Sequence, residues 1–180
     1  SVSGTRAAAI EELSTQSRGA LDGDEPQPSV YPHPIAFNVL PHIGPFEESG
    51  YTDEETKVGN ETRKMLDMPD LPVSATCVRV PVVRSHSESV QIETTEKISA
   101  QHVRELLMGA PGLVLADDPA HNVYPLARAS EGRDEVFIGR IREDSSHPRG
   151  LVFWLVSDNL RKGAATNAVQ IAESLVMRGW

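Results

Sequence analysis

Apolar and polar positions alternate in different rhythms along this chain, and each rhythm predicts a different element. Residues 7–13 read Ala-Ala-Ala-Ile-Glu-Glu-Leu, a helix-favouring run with Ser3 or Thr5 as its cap. Residues 22–50 carry prolines at 26, 28, 32, 34, 41 and 45, which forbid a long helix. The apolar Ile35, Phe37, Val39 and Leu40 between them predict a loop pinned to a surface. Thr52-Asp53-Glu54-Glu55 has the spacing of a capping box, so a helix starts after Thr52 with Glu55 as its return partner. Val58, Thr62, Met65 and Leu66 then share one face, and Glu54, Lys57, Glu61 and Lys64 another.

The period shortens to two at Val78, Val80 and Val82, which predicts a strand with Arg79 on its opposite face. Val90 and Ile92 alternate in the same way within residues 88–95. Ser99 caps a predicted helix carrying Val103, Leu106 and Leu107, which ends at Gly109-Ala110-Pro111-Gly112. Residues 111–134, rich in Asp, Pro and Gly, read as an excursion from the domain. Two further strands are expected at 136–141 and 151–156. Gly163-Ala164-Ala165 then leads into a helix that packs through Ala168, Ile171, Ala172 and Leu175. This order of elements predicts an α+β fold, a mainly antiparallel sheet covered by helices on one face.

Composition narrows the function classes. The 180 residues fit one compact domain or one and a small extension, and 39% apolar content is enough for a core. Lys and Arg number 17 against 26 Asp and Glu, a net charge of −9. That balance argues against nucleic acid, which demands a concentrated basic surface. No apolar run approaches the ~18–20 residues of a membrane span, and no secretory signal pattern opens the chain. A cytoplasmic location is therefore expected. Ser1 lies close to a helix cap, which suggests further sequence upstream. The single cysteine, Cys77, excludes an internal disulfide. It is flanked by Thr76 and Val78 in a β-like run and reads as structural rather than nucleophilic. His33, His42, His102, His121 and His147 show no metal-ligand spacing, so no metal is expected.

The residues with chemical potential are few. Arg79 offers a planar fork suited to a carboxylate or phosphate. His86 sits at a predicted turn between strands, where an imidazole exchanges protons near neutral pH. From spacing alone, a surface arginine beside a turn histidine is the ordinary reading. Glu54 and Lys57, one helical turn apart, read first as an exposed ion pair. The functional alternative makes Lys57 a phosphate ligand and Glu54 a partner for a substrate ammonium. Ser3-Gly4 could let backbone approach a cofactor, although an isolated Ser-Gly pair carries little weight. Asn159 and Gln170 read as caps or surface.

Longer motifs change that balance. Tyr-Pro-His-Pro-Ile-Ala-Phe-Asn-Val-Leu-Pro-His-Ile-Gly at 31–44, Glu-Glu-Thr-Lys at 54–57 with Asn-Glu-Thr-Arg-Lys at 60–64, and Ser-Ala-Thr-Cys-Val-Arg-Val-Pro-Val at 74–82 followed by His86-Ser87 resemble aspartate-semialdehyde dehydrogenase. So does Val-Ser-Asp-Asn-Leu-Arg-Lys-Gly-Ala-Ala-Thr-Asn-Ala-Val-Gln-Ile at 156–171. The resemblance runs almost end to end, and covers only the family's C-terminal part.

What it implies is a fold like the C-terminal domain of glyceraldehyde-3-phosphate dehydrogenase-like enzymes. Residues 1–156 would form the substrate-binding and dimerisation domain, and residues 157–180 a helix that returns to the NADP-binding domain, which this chain lacks. The implied reaction is reductive dephosphorylation of aspartyl phosphate to aspartate semialdehyde, toward lysine, diaminopimelate, methionine and threonine, by a homodimer. Hydride comes from NADPH, and the nucleophilic cysteine lies in an Asn-Cys motif upstream of Ser1. By resemblance, His86 is the general acid/base and Arg79 grips the substrate carboxylate. Glu54 faces the amino group, Lys57 binds phosphate, and Ser3, Gly4 and Asn159 touch the cofactor. The chain alone would then be inactive. Arg6 departs from the family, which usually has glycine there; it either crowds the cofactor or points to solvent. The sibling N-acetyl-γ-glutamyl-phosphate reductase and a non-catalytic dimerisation module are the alternatives.

Overall fold

The computed structural model describes all residues from Ser1 to Trp180. They form two compact units, Ser1–Val83 and Arg84–Trp180.

The first unit opens with a 3-10 turn, Val2–Thr5, followed by helix α1, Ala7–Asp22, which stops at Gly23 in the left-handed conformation. Neither Ser3 nor Thr5 caps α1: the cap position is Arg6. Arg6 lies at φ 77°, ψ −177°, a region that essentially only glycine enters without strain, at a cost of ~1–3 kcal/mol for other residues. Its side chain is exposed. A glycine at this position, as the resemblance implies, would thus have a backbone reason. Arg6→Gly is expected to stabilise the unit by about 1 kcal/mol, the relief of strain being partly offset by the freer unfolded chain. A higher denaturant midpoint at unchanged slope would report it.

Val2, Ala9, Leu13, Ile35, Ala36 and Leu40 make the core of this unit, with Ile10 and Tyr31 packed on it. The proline-rich segment is pinned as expected, and two polar side chains of α1 pin it. The carboxylate of Glu12 accepts from the Ser29 hydroxyl at 2.8 Å and from the backbone N–H groups of Ser29 and Val30. Gln16 accepts from the N–H groups of Ile35 and Ala36 at 2.9 and 3.1 Å and donates to the Gln27 carbonyl at 2.9 Å. A chain that cannot make its own ladder has its amides satisfied by a neighbouring helix.

Helix α2, Asp53–Met65, carries the complete capping box of Thr52 and Glu55. Its expected apolar face is not covered within the chain: Met65 and Leu66 are 76% and 57% exposed. The strand expected at 78–82 does not form. Arg79 makes one isolated antiparallel bridge with Leu40, through N–H···O bonds of 2.8 and 2.9 Å. Two residues beyond Arg79, Pro81 lacks the N–H for the next rung, and on the other side the Cys77 and His42 N–H groups are taken by Glu55 Oε1 and the Leu40 carbonyl.

The second unit is built on strands β1 His86–Glu93, β2 Leu113–Leu115, β3 Val136–Glu143 and β4 Gly150–Ser157. Their order is β1-β4-β3-β2. β1 and β3 run antiparallel to β4, and β2 runs parallel to β3. Helix α3, Ala100–Leu107, is capped by Ser99 and packs on β2 and β3. The α+β expectation therefore holds, with one parallel pair in the sheet. The supposed excursion at 111–134 contributes β2, three apolar residues whose turn-forming flanks hid them. It also rests on the sheet at Gly139, where a Cβ would come within 2.0 Å of the Ala116 carbonyl oxygen.

A single helical turn, α4 Ala127–Ser130, precedes β3. After β4, a distorted turn at Arg161–Ala165, with Ala164 at non-helical φ/ψ, leads into helix α5, Thr166–Met177. No residue of α5 is buried. The packing face expected on it, including Ile171 and Leu175 at 54% and 45% exposure, has no cover within the chain. No helix is long and apolar enough to cross a membrane.

Candidate active-site residues

Within the first unit, Arg79 is held on several sides. Its Nη1 donates to the Ser1 carbonyl. Its guanidinium carbon lies 5.5 Å from the centroid of the Tyr31 ring, a cation–π distance. Its backbone is bridged to Leu40. Nε is buried without a hydrogen-bond partner. Gly4 belongs to the same neighbourhood, since a Cβ there would lie 3.7 Å from Arg79 Nη1. The Val2 and Ser3 N–H groups donate to the Val82 and Val83 carbonyls at 2.9 and 3.0 Å, which lays the Ser3-Gly4 turn along the segment that carries Arg79. Gly4 is exposed and Ser3 buried, so the face open to a ligand is the glycine's backbone.

Glu54 and Lys57 stand in the first turns of α2, bonded Nζ to Oε2 at 2.7 Å. That hydrogen bond pushes the Lys57 ammonium up from its ordinary value, so it stays cationic throughout the physiological range. Between them Glu55 ties the helix to the Arg79 segment. Its Oε2 accepts from the Thr52 N–H at 2.9 Å and its Oε1 from the Cys77 N–H at 2.7 Å. Those two N–H groups hold the Glu55 carboxyl below the usual carboxylate range. The capping-box spacing gave half of this residue's role. The bond to Cys77, 22 residues away, leaves no local signal. Cys77 itself is partly buried.

In the second unit, His86 is the first residue of β1, opposite Ser157 in β4, rather than in a turn between strands. It is exposed, and Ser85 before it is buried with φ 80°. Asn159 is buried, and its Oδ1 accepts from the Ser85 N–H at 2.9 Å. Asn159 thus serves the approach to His86 through its carbonyl oxygen. The fully buried Asp158, unremarked in the sequence, accepts from the Gly132 and Leu160 N–H groups at 2.8 and 2.9 Å and shapes the turn that delivers Asn159.

Two open cavities, of about 520 and 310 Å³, lie over the sheet face at Ser87, Trp154 and Arg142 and between α1 and its pinned loop; none of the candidate residues lines either. No group of three or more His, Cys, Asp or Glu side chains gathers where it could hold a metal ion.

Comparison with known proteins bears on what this arrangement belongs to. The profile of the semialdehyde dehydrogenase dimerisation domain matches residues 1–162. The aspartate-semialdehyde dehydrogenase of Aquifex aeolicus is 54% identical over 99% of this chain and 53% of its own length. A crystal structure of aspartate semialdehyde dehydrogenase II from Vibrio cholerae, complexed with ASA, superposes with a TM-score of 0.92 at 43% identity, covering 99% of this chain and 53% of the other. The Candida albicans enzyme, solved with NADP, gives 0.52 at 26% identity over 70% of this chain and 40% of that one. The chain spans about half the length of the curated relatives it matches, their C-terminal half. With its fold, its Arg79 neighbourhood and this profile in agreement, the chain belongs to the family of semialdehyde dehydrogenase dimerisation domains.

Proposed function

We propose that this chain is the substrate-binding and dimerisation half of an NADP-dependent aspartate-semialdehyde dehydrogenase, which converts aspartyl phosphate to aspartate semialdehyde as a homodimer in the cytoplasm. The observation that carries the reading is Arg79. Its guanidinium is fixed by the Ser1 carbonyl and the Tyr31 ring, its backbone by the bridge to Leu40, and a buried Nε remains to donate. An immobilised fork with donors to spare suits a planar carboxylate.

The other roles follow from chemistry. Lys57 supplies a permanent cation for phosphate, and Glu54 beside it an anion for the substrate ammonium. Glu55 fixes α2 against the Arg79 segment, so these contacts share one frame. His86 carries the proton to or from the substrate oxygen during acyl transfer. NADP, when bound, supplies or accepts hydride. Ser3 and Gly4 fit only an edge contact to it, because the Ser3 N–H is already engaged and Gly4 alone offers open backbone. The main cradle would belong to the part of the relatives that this chain does not span, as would the nucleophilic cysteine. The uncovered apolar side of α5, outside the profile-matched residues, supports packing against that part. Residues 1–180 alone are accordingly expected to show no turnover.

Arg79→Ala in the full-length protein tests the reading at its strongest point. A charged hydrogen bond contributes ~1.5–3 kcal/mol, so KM for aspartate semialdehyde is expected to rise about 10- to 100-fold. Arg79→Lys should recover little, because an ammonium lacks the fork. An unchanged KM in Arg79→Ala would remove the carboxylate from this site.

A further inference from the structure

We infer that Ser85, Ser130 and Asn159 form a positioning device for His86, a buried polar clamp that sets the angle at which the imidazole leaves the sheet. The inference rests on the proposed role of His86.

Three observations carry it. Ser85 sits at φ 80°, a conformation uncommon for a residue with a Cβ and one that persists where the surroundings impose it. The imposing groups are all buried: Ser85 is 2% exposed, Ser130 0% and Asn159 8%. They also hold both the backbone and the side chain of Ser85. Asn159 Oδ1 takes its N–H at 2.9 Å, Ser85 Oγ lies 3.1 Å from the Ala127 carbonyl oxygen, and Ser130 Oγ lies 2.8 Å from Ser85 Oγ. Ser130 Oγ also lies 3.0 Å from the Ala127 carbonyl oxygen, so with one proton each the two hydroxyls use both by one donating to the other and that one to the carbonyl. Ala127 and Ser130 are the ends of α4, so this short turn has a function as an anchor.

The consequence falls on the next residue. His86 is fixed on its far side by the ladder to Ser157 and on its near side by the clamp. The direction of its Cα–Cβ bond follows from those two constraints. A general acid/base must meet its proton partner within hydrogen-bond reach, and small misplacements cost large factors in rate.

The test uses the full-length enzyme with Ser85→Ala and Ser130→Ala. Both are expected to lower kcat, Ser85→Ala by about 10- to 100-fold, while KM for aspartate semialdehyde and phosphate stays within about twofold. The histidine limb of the pH–rate profile should move, and so should the NMR titration midpoint of the His86 ring. Ser85→Gly accepts φ 80° without strain and lacks the hydroxyl, so it keeps the measurement possible should Ser85→Ala fold poorly. A kcat within twofold of the parent in all three variants, or losses with an unmoved His86 titration, would overturn the clamp. The NMR arm needs no turnover. A parent that ignores aspartate semialdehyde while Ser85→Ala shifts the His86 titration would therefore count against the proposed reaction and for the clamp.

Discussion

Replacing His86 with alanine in the full-length protein is expected to cut kcat by about 10²- to 10⁴-fold, the range that a positioned general acid/base contributes. The size of the effect follows from the place of the residue. His86 begins β1 with an exposed imidazole, so its removal opens no cavity in the core and takes little from stability. Loss of rate should therefore come without loss of fold. His86→Asn, which keeps a polar amide without the titration, should be about as slow as His86→Ala and should lose the histidine limb of the pH profile. NADPH absorbance against pH for the parent and both variants measures this. A variant within threefold of the parent would place the proton transfer elsewhere.

Glu12→Ala is expected to destabilise the first unit by roughly 1–3 kcal/mol. Glu12 is 7% exposed, and its carboxylate satisfies the Ser29 hydroxyl, two backbone N–H groups and the Gln16 amide, the last at 2.9 Å. Truncation takes one of its two acceptors from the buried Gln16 amide, which costs more than the bond contributed, and releases the exposed Ser29 and Val30 donors to water. The damage should spread along the pinned loop to Ile35 and Leu40, and from Leu40 to Arg79 across their bridge. Denaturant unfolding measures the loss, and faster hydrogen exchange at Ile35 and Ala36 locates it.

The pH dependence has a definite sign. Burial pushes the Glu12 carboxyl up, but its bonds to Ser29, Val30 and Tyr31 outweigh that and hold it below the ordinary value of 4.5. A carboxyl depressed in the folded state contributes stability that is present above its unfolded pKa and is lost as pH falls through the folded value. The parent should thus lose stability on acidification below about pH 4.5, and Glu12→Gln should be weaker at neutral pH and less acid-sensitive.

Much of this was legible in the sequence where the signal is local. The caps at Thr52 and Ser99, the strands near Val90, Val136 and Leu151, and the α+β order needed only spacing and residue type. Readings failed where a distant partner decides. Val78, Val80 and Val82 alternate correctly, yet Pro81 denies the ladder one further rung and the bonds of Cys77 to Glu55 and of His42 to Leu40 deny it the other. Leu113, Val114 and Leu115 are too few to show a period and become a strand only because β3 lies alongside. The pattern Ala168, Ile171, Ala172 and Leu175 is a true apolar face with no partner in this chain.

The site divides in the same way. Arg79, His86, Glu54 and Lys57 carried ordinary readings until the longer motifs were weighed. Glu12, Gln16, Ser85 and Ser130, which hold them or their neighbours, were invisible as such, and Glu55 showed only its cap. A hydrogen bond between residues 22 or 45 apart has no periodicity to betray it. Arg6 shows the same limit: its φ of 77° leaves no mark in the local residue pattern.

The most direct test of the central claim is phosphate- and NADP-dependent oxidation of aspartate semialdehyde by the full-length protein, followed as NADPH absorbance beside residues 1–180 alone. The account predicts turnover by the full-length protein, a raised KM in Arg79→Ala, a lowered kcat in His86→Ala, and no turnover from the chain alone. Turnover of N-acetyl-glutamate semialdehyde in its place would contradict the substrate assignment, and inactivity toward both would leave a dimerisation module.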